Sequence, residues 1–187
     1  RNGIMASAGV HDSLAVIGCQ FLLPAAGSRA IFLISPTPST GVSILNNVIT
    51  VSSTTGNGIF ISNSAIGYVI QGNTITLSGG GNGIQFTGVT TSFVVRGNRI
   101  TGSAKGIALG GSGLIANNMV EATSNAVEII SPNGLSVLFN TLVSTGAASA
   151  LNVTNGSAGV LTLANNVFSC PGGGVPLNLQ STTFSLI

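Results

Sequence analysis

Acid–base chemistry in this chain would have to use very few side chains. It has three carboxyls, Asp12, Glu121 and Glu128, and one imidazole, His11. Glycoside hydrolysis of the usual kind needs two carboxyl groups about 5–9.5 Å apart. Asp12 lies far along the chain from the other two, and Glu121 and Glu128 fall on different strands of the internal repeat. The sequence therefore predicts no catalytic residue and no acid–base enzyme.

The run His11-Asp12-Ser13 contains the three side-chain types of a nucleophilic triad. Adjacent residues of an extended chain point to opposite sides, so this run is poorly placed for a relay and we expect a polar loop. A tetrahedral zinc site would need His11 to meet Cys19 and Cys170, which lie too far apart along the repeat. Calcium takes about 6–8 oxygen ligands, and no acidic cluster supplies them. We predict no metal site and no cofactor.

Composition excludes further classes. Hydrophobic residues make up 44% of the 187 residues, which is enough for a sizeable core, whereas charged residues make up only 4%. No apolar run approaches the ~20 residues that a membrane-spanning helix needs. The basic residues are too few and too scattered to follow a nucleic-acid backbone. They are Arg1, Arg29, Arg96, Arg99 and Lys105.

An asparagine recurs between two apolar residues, as in the segment LNNVI at 45–49. The repeated positions are Asn47, Asn73, Asn98, Asn118, Asn140 and Asn166. Their spacings of 20–26 residues are typical of solenoid repeats, and Gln20 resembles a degenerate earlier member. We expect each asparagine to turn the chain in the left-handed conformation, which Asn tolerates. Stacked side-chain amides would then form a hydrogen-bonded ladder between coils.

A second element, glycine followed by alternating apolar residues as in GIFI at 58–61, alternates with the first along the whole chain. Together the two elements predict three short strands in each repeat. Side chains alternate between the two sides of a strand, so Ile44, Ile70, Val95 and Ile115 should stack in one inward column. Similar columns should form around Ile75 and around Ile84. We predict one domain over residues 1–187, either complete or a segment of a longer solenoid or filament.

These repeats resemble those of the right-handed parallel β-helix family, the pectate-lyase-like superfamily. The resemblance covers nearly the whole chain and is specific for fold. It implies an all-β fold, a right-handed parallel β-helix (solenoid) of about seven coils with three short strands per coil. It does not select a function, because that superfamily includes lyases, glycoside hydrolases, phage tailspikes and adhesins.

Enzymes of that superfamily tend to place their chemistry on the outer side of one strand column. If that column follows the glycine element, its candidate glycan-facing members here are Phe32, Phe60, Gln85, Glu128, Asn152 and Asn178. The related lyases use Arg or Lys as a base. In this chain Arg96, Arg99 and Lys105 fall on one coil, and Glu121 and Glu128 fall on the next. We expect surface ion pairs between these two coils.

Cys19 and Cys170 should lie about five coils apart, or ~24 Å at the spacing of β-strands. A disulfide needs Cα atoms within about 7 Å, which excludes a bond within one chain. Two free, partly buried thiols are expected, with one bond between neighbouring subunits as the alternative.

The sequence favours a non-catalytic structural or adhesive component of an extracellular or cell-surface fibre. A surface of Ser, Thr, Asn and Gly with so little charge would favour association. We expect head-to-tail stacking into a homo-oligomer or filament, with a polysaccharide as a further partner and without nucleic acid. The alternative is a carbohydrate-binding or polysaccharide-degrading β-helix, or a tailspike fragment.

Overall fold

The structure is a computed structural model that describes residues 2–7, 9–34, 38–62, 64–88, 90–154 and 159–180, together with the backbone of 185 and 186. Strands account for the regular structure of these residues, and all of their pairings are parallel. Within these ranges the chain has no helix long and apolar enough to cross a membrane. The chain winds into a solenoid in which each strand pairs with its counterpart one coil away, as the sequence predicted.

The strands form three series. The first series precedes each repeated asparagine and contains β2 (Ala15–Ile17), β6 (Ser43–Leu45), β10 (Val69–Gln71), β13 (Thr90–Arg96), the second halves of β15 (Lys105–Ala116) and β17 (Val127–Leu138), β20 (Val160–Ala164) and β23 (Ser185–Leu186). The second series follows each asparagine and contains β3 (Gln20–Leu23), β7 (Val48–Val51), β11 (Thr74–Leu77), β14 (Arg99–Ser103), β16 (Met119–Ala122), β18 (Thr141–Ser144) and β21 (Val167–Ser169).

The third series follows each glycine element. It contains β1 (Asn2–Ser7), β4 (Arg29–Ile34), β8 (Asn57–Ser62), β12 (Asn82–Phe86), the first halves of β15 and β17, β19 (Leu151–Thr154) and β22 (Leu177–Leu179). Two short strands, β5 (Ser39–Thr40) and β9 (Ala65–Ile66), lie at the corner between the third and first series. The second series forms a sheet of its own with seven strands. Its repetition gives about seven coils, as predicted.

The prediction of three separate strands in each coil is wrong for two of the coils. There β15 and β17 run without interruption from the third series into the first, so both series join into one sheet. The pairing of β15 with β17 shifts register on both sides of Gly111. The shift allows the strand to turn the corner while it remains paired, and no loop is needed.

The core is the interior of the solenoid, and the predicted inward columns fill it. Ile44, Ile70, Val95 and Ile115 are paired in register and fully buried. The columns that contain Ile75 and Ile84 are buried to the same extent. Full burial of such a side chain stabilises the fold by roughly 1.5–3 kcal/mol. Because each coil covers its neighbours, this stabilisation depends on stacking rather than on any single coil.

The six repeated asparagines form a continuous ladder. In each step the backbone N–H and the side-chain Nδ2 of one asparagine donate to Oδ1 of the next, as Asn73 does to Asn98 at 3.0 and 2.9 Å. Nδ2 also donates to a backbone carbonyl of the preceding coil, Ile44 O in the case of Asn73, at 2.9 Å. Asn73 and Asn98 are each 1% exposed, and these bonds satisfy groups that would otherwise be buried without partners.

The expected left-handed asparagine is wrong by one position. The residue with positive φ is the one that precedes each ladder position, because the ladder side chain must point inward toward the neighbouring coils. These residues are Gly18, Asn46, Gly72, Gly97, Asn117, Phe139 and Asn165, with φ between 54° and 67°. The same register corrects the expected earlier member of the ladder. It is Cys19, whose N–H donates to Asn47 Oδ1 at 2.9 Å, whereas Gln20 already belongs to β3.

Candidate functional site

The outer side of the third series, called the third face below, carries the predicted column of side chains. Strand pairing aligns them coil by coil: Met5, Phe32, Phe60, Gln85, Ala108, Glu128, Asn152 and Asn178. A second column runs beside it, three residues earlier along the chain in each coil, and contains Arg29, Asn57, Asn82, Lys105 and the buried Asn125. Contacts between these two columns determine what the third face offers to a ligand.

Two phenylalanines and an arginine form the N-terminal part of this face. The rings of Phe32 and Phe60 meet edge to face, with centroids 5.3 Å apart. The guanidinium of Arg29 lies 4.3 Å from one ring centroid and 4.6 Å from the other. Such cation–π contacts bring the charge onto the rings. Phe32 is only 9% exposed, so its ring is packed beneath Arg29 and is not available to stack on a sugar.

The middle of the face is a cluster of amides. Oε1 of Gln85 accepts from Asn82 Nδ2 at 2.8 Å and from Asn57 Nδ2 at 3.4 Å. The backbone N–H of Asn82 donates to Asn57 Oδ1 at 2.8 Å, which joins the two coils. In the described part of the chain Gln85 Nε2 donates to no residue. The cluster therefore holds the Gln85 carbonyl in place and leaves its amide hydrogens for another acceptor.

Lys105 and Glu128 form an ion pair on the described part of this face. Lys105 Nζ lies 2.5 Å from Glu128 Oε2, and the side chains are 36% and 14% exposed. Asn125 Nδ2 donates to the other carboxylate oxygen at 3.4 Å. A partly exposed surface pair of this kind stabilises a fold by about 0–1 kcal/mol. Its larger effect is to occupy both oxygens of the third-face carboxylate.

The other ion pairs expected between these coils do not form among the described residues. Arg96 donates instead to the side-chain oxygen of Gln71, one coil back, at 2.8 Å. Arg99 lies against the sulfur of Met119 at 3.0 Å. Glu121 is exposed on the second series, where its strand neighbour is Val143. The expectation was wrong because these side chains project from different sides of the solenoid. This separates their charges, although the residues are close along the chain. Arg1 lies outside the described residues.

The asparagines of the last coils continue the column. Asn178 Nδ2 donates to Asn152 Oδ1 at 3.0 Å, and Asn125 Oδ1 accepts from the backbone of Ser149 at 3.1 Å. Asn152 is 8% exposed, and among residues 90–154 and 159–180 its Nδ2 has no acceptor. Gln85 and Asn152 therefore both present uncommitted amide hydrogens on the third face.

The His11-Asp12-Ser13 segment is a polar corner, not a triad. Asp12 Oδ1 accepts from the backbone and from the hydroxyl of Thr40, both at 2.7 Å. The Thr40 hydroxyl, followed by its backbone N–H, lowers the pKa of Asp12 below its ordinary value of 3.8. His11 Nε2 lies 3.1 Å from the carbonyl of Ile34. The segment therefore fastens the first coil to the second.

The possible metal ligands, which include the two cysteines, are spread along the described part of the chain. Among the described residues no three His, Cys, Asp or Glu side chains lie together as metal ligands would. Cys19 and Cys170 are free and partly buried, in agreement with the geometric prediction. Cys19 Sγ lies 3.5 Å from the carbonyl of Ile17, and Cys170 Sγ lies 3.6 Å from that of Ala148.

A pocket at the corner between the third and first series was not predicted. It crosses three coils beside the third face and has a volume of about 290 Å³. Its lining consists of Phe86, Thr87, Gly88, Thr91, Leu109, Gly110, Gly111, Ser112, Ile130, Ser131 and Asn133. The glycines at 110, 111 and 113 are a sign of it in the sequence, because glycines leave space where other residues would project side chains.

This fold and face define a parallel β-solenoid with an amide-rich outer surface. A family model described as "right handed beta helix region" matches residues 33–186. The match covers most of the chain, and the chain belongs to this family. No curated protein and no solved structure matches it. The family describes a fold, so function must be argued from the site.

Proposed function

We propose that this chain is a non-catalytic, adhesive β-helix component of an extracellular or cell-surface fibre, and that its third face holds a neutral polysaccharide. The observation that carries the proposal is a set of carboxamides on this face, called the amide column: Asn57, Asn82, Gln85, Asn125, Asn152 and Asn178. The coils that carry them repeat at the strand spacing of about 4.8 Å, which is close to the length of one sugar unit. A polysaccharide that ran parallel to the solenoid axis would meet carboxamides at the coils of Gln85, Asn152 and Asn178, with Ala108 and Glu128 between them.

The uncommitted hydrogens of Gln85 Nε2 and Asn152 Nδ2 support this function. Sugar hydroxyls and ring oxygens accept hydrogen bonds, and carboxamides both donate and accept them. The carbonyl of Gln85 is already held by Asn82 at 2.8 Å. A held side chain loses little conformational freedom on binding, which favours affinity.

The charges of the face favour a neutral polymer. Lys105 and Glu128 compensate one another at 2.5 Å, and the Arg29 guanidinium is packed on the rings of Phe32 and Phe60. An acidic polysaccharide would need several unpaired cations, and in the described part of this face Arg29 alone has no carboxylate partner.

The same ion pair supports a non-catalytic role. Glycoside hydrolysis needs a second carboxyl within about 5–9.5 Å of the first. Asp12 belongs to the first coils and Glu121 to the second series, so neither shares the third face with Glu128. Glu128 itself is held by Lys105 and Asn125.

The test is retention on insoluble neutral polysaccharides, with a parallel assay for release of reducing ends. The double variant Gln85→Ala/Asn152→Ala should lose retention. Thr74→Ala, an exposed change on the second series, should keep it. Glu128→Gln should leave the reducing-end assay at background. Failure to bind any neutral polymer would refute adhesion, and cleavage that Glu128→Gln abolishes would refute the non-catalytic assignment.

A further inference from the structure

The corner pocket is a gap in a third outward column. Strand pairing aligns Gly110 with Ile130 and Ile130 with Thr154, and Thr87 contacts Ser62. The register of Gln85 with Ala108, continued by two residues, brings Thr87 beside Gly110. Gly110 projects no side chain between Thr87 and Ile130. The gap accounts for the position of the cavity, whose walls come from both neighbouring coils.

Close backbone contact requires the glycines and keeps the pocket open. A Cβ at Gly110 would lie 2.1 Å from the carbonyl oxygen of Ile130, and one at Gly111 would lie 1.8 Å from that of Thr90. Gly111 also has φ +102, which L side chains rarely adopt. The hydroxyl of Thr90 donates to the carbonyl of Gly110 at 2.6 Å and holds the bend.

The floor of the pocket is part of the core. Phe86 and Leu109 are 5% and 1% exposed. The ring of Phe86 stacks on that of Phe93, with centroids 5.9 Å apart. Since the floor is packed and the glycine wall is held by backbone contacts, the cavity is formed before any ligand arrives.

The lining combines an apolar floor with a neutral polar rim. Its rim includes the hydroxyl-bearing residues Thr87, Thr91 and Ser112, the carboxamide-bearing Asn133, and Ile130, which is 48% exposed. All of the lining residues are uncharged. A charged ligand would lose hydration here without a counter-charge, which is costly. A ligand with an apolar face and a hydroxylated edge matches both parts of the lining.

The volume limits the size of this ligand. Sites for small molecules commonly measure about 300–1,000 Å³, and this pocket, at about 290 Å³, lies at the lower end. We propose that the corner pocket binds one neutral pyranose unit, as a free sugar or as the end or branch of a glycan. The pocket is separate from the amide column, so this inference does not rest on the proposed polysaccharide binding.

Ligand-observed saturation-transfer NMR tests the proposal. The probes are the methyl pyranosides of glucose, galactose and mannose, with glucuronate as the charged comparison and benzene as the apolar one. Thr91→Trp places an indole at the rim from an exposed strand position. Thr76→Trp is the matched control, an exposed threonine in a strand of the second series. Thr87→Val removes one hydroxyl with almost no change of shape.

We expect saturation transfer to at least one neutral pyranoside and none to glucuronate. Thr91→Trp should abolish the transfer while Thr76→Trp keeps it. Thr87→Val should weaken binding by about tenfold, the effect of losing one or two hydrogen bonds, and it remains informative if Thr91→Trp fails to fold. The proposal is overturned if no neutral sugar binds, if only benzene binds, or if both pocket variants bind like the parent. Polymer retention without binding of single sugars would refute the pocket alone and leave the third-face proposal intact.

Discussion

Asn98 gives both of its donor groups to one atom of Asn118: the backbone nitrogen and Nδ2 lie 2.9 and 3.0 Å from Oδ1. Nδ2 of Asn98 also donates to the carbonyl of Ile70 at 2.9 Å. On its other side, Oδ1 of Asn98 accepts two bonds from Asn73. One carboxamide therefore links three coils.

Removal of a ladder side chain should destabilise the fold by more than the loss of its own hydrogen bonds. Buried groups in both neighbouring coils would also be left without a hydrogen-bond partner. Asn98→Ala and Asn118→Ala should each lower the free energy of unfolding by about 1–3 kcal/mol. Urea unfolding curves measure the change. Thr74→Ala, next to the ladder but exposed, is the control and should have a small effect. Ladder variants as stable as this control would contradict the structural role of the ladder.

Phe139 should be a position where glycine stabilises the protein. It has φ 56° and is 55% exposed. The left-handed conformation costs a non-glycine residue about 1–2 kcal/mol, and glycine removes this cost. Glycine also makes the unfolded chain more flexible, which lowers the free energy of unfolding by roughly 0.5–1 kcal/mol. Phe139→Gly should therefore raise the free energy of unfolding by about 0.5–1 kcal/mol, measured by thermal and urea unfolding. Asn117→Gly should change it less, since Asn tolerates this conformation. A loss of stability in Phe139→Gly would show that the ring makes a stabilising contact.

Tyr68 should make the fold sensitive to alkali. Burial raises the pKa of this phenol above its ordinary value of 10.0, the hydrogen bond with Ser39 opposes the rise, and the charge of Asp12 adds to it. A raised folded-state pKa means that the stabilisation is complete below pH 10 and is lost as the pH rises through the folded-state value. It is the only tyrosine in a chain without tryptophan, so the near-ultraviolet absorbance of tyrosinate reports its titration directly. Ionisation of Tyr68 at the pH of a free tyrosine, with the fold intact, would contradict its burial.

Head-to-tail association remains a prediction, and an edge strand provides its test. β2 pairs with β6 alone among the described strands, whereas β7 has neighbours on both sides. A lysine on an edge strand opposes pairing with another chain. Ile17→Lys should therefore reduce any filaments seen by electron microscopy, and Val48→Lys, the same change on an inner strand, should not. Monomers at all concentrations in sedimentation experiments with the parent chain would refute stacking.

The sequence predicted the features that repeat. Ile70 and Asn73 recur with their neighbours in every coil, so spacing alone indicates the inward column and the ladder. Spacing could not show which residue adopts the left-handed conformation, because Asn46 and Asn47 are both asparagines and only the coil-to-coil contacts distinguish them. Cys19 was missed at the ladder position because a thiol does not match an amide pattern, although the backbone bond of its N–H to Asn47 is the same.

The features that occur only once in the chain could not be predicted from the repeat. The continuous path of β15 around the corner depends on contacts of Gly110 and Gly111 with neighbouring coils. The corner pocket depends on the same contacts. The pairing of Lys105 with Glu128, while Arg96 turns to Gln71, follows from which side of the solenoid each residue projects. Periodicity indicates the side of a strand but not which neighbour a long side chain selects.

The constancy of the ladder step bears on how such a chain can change over generations. Asn98 and Asn118 are 20 residues apart, whereas Cys19 and Asn47 are 28 apart, yet the N–H to Oδ1 distance is 2.9 Å in both steps. Differences in length are absorbed outside the ladder, and each coil contacts mainly the next. In-frame duplication or loss of a whole turn would thus preserve the contacts of the remaining turns. The length of the rod can evolve in discrete steps while its cross-section is conserved.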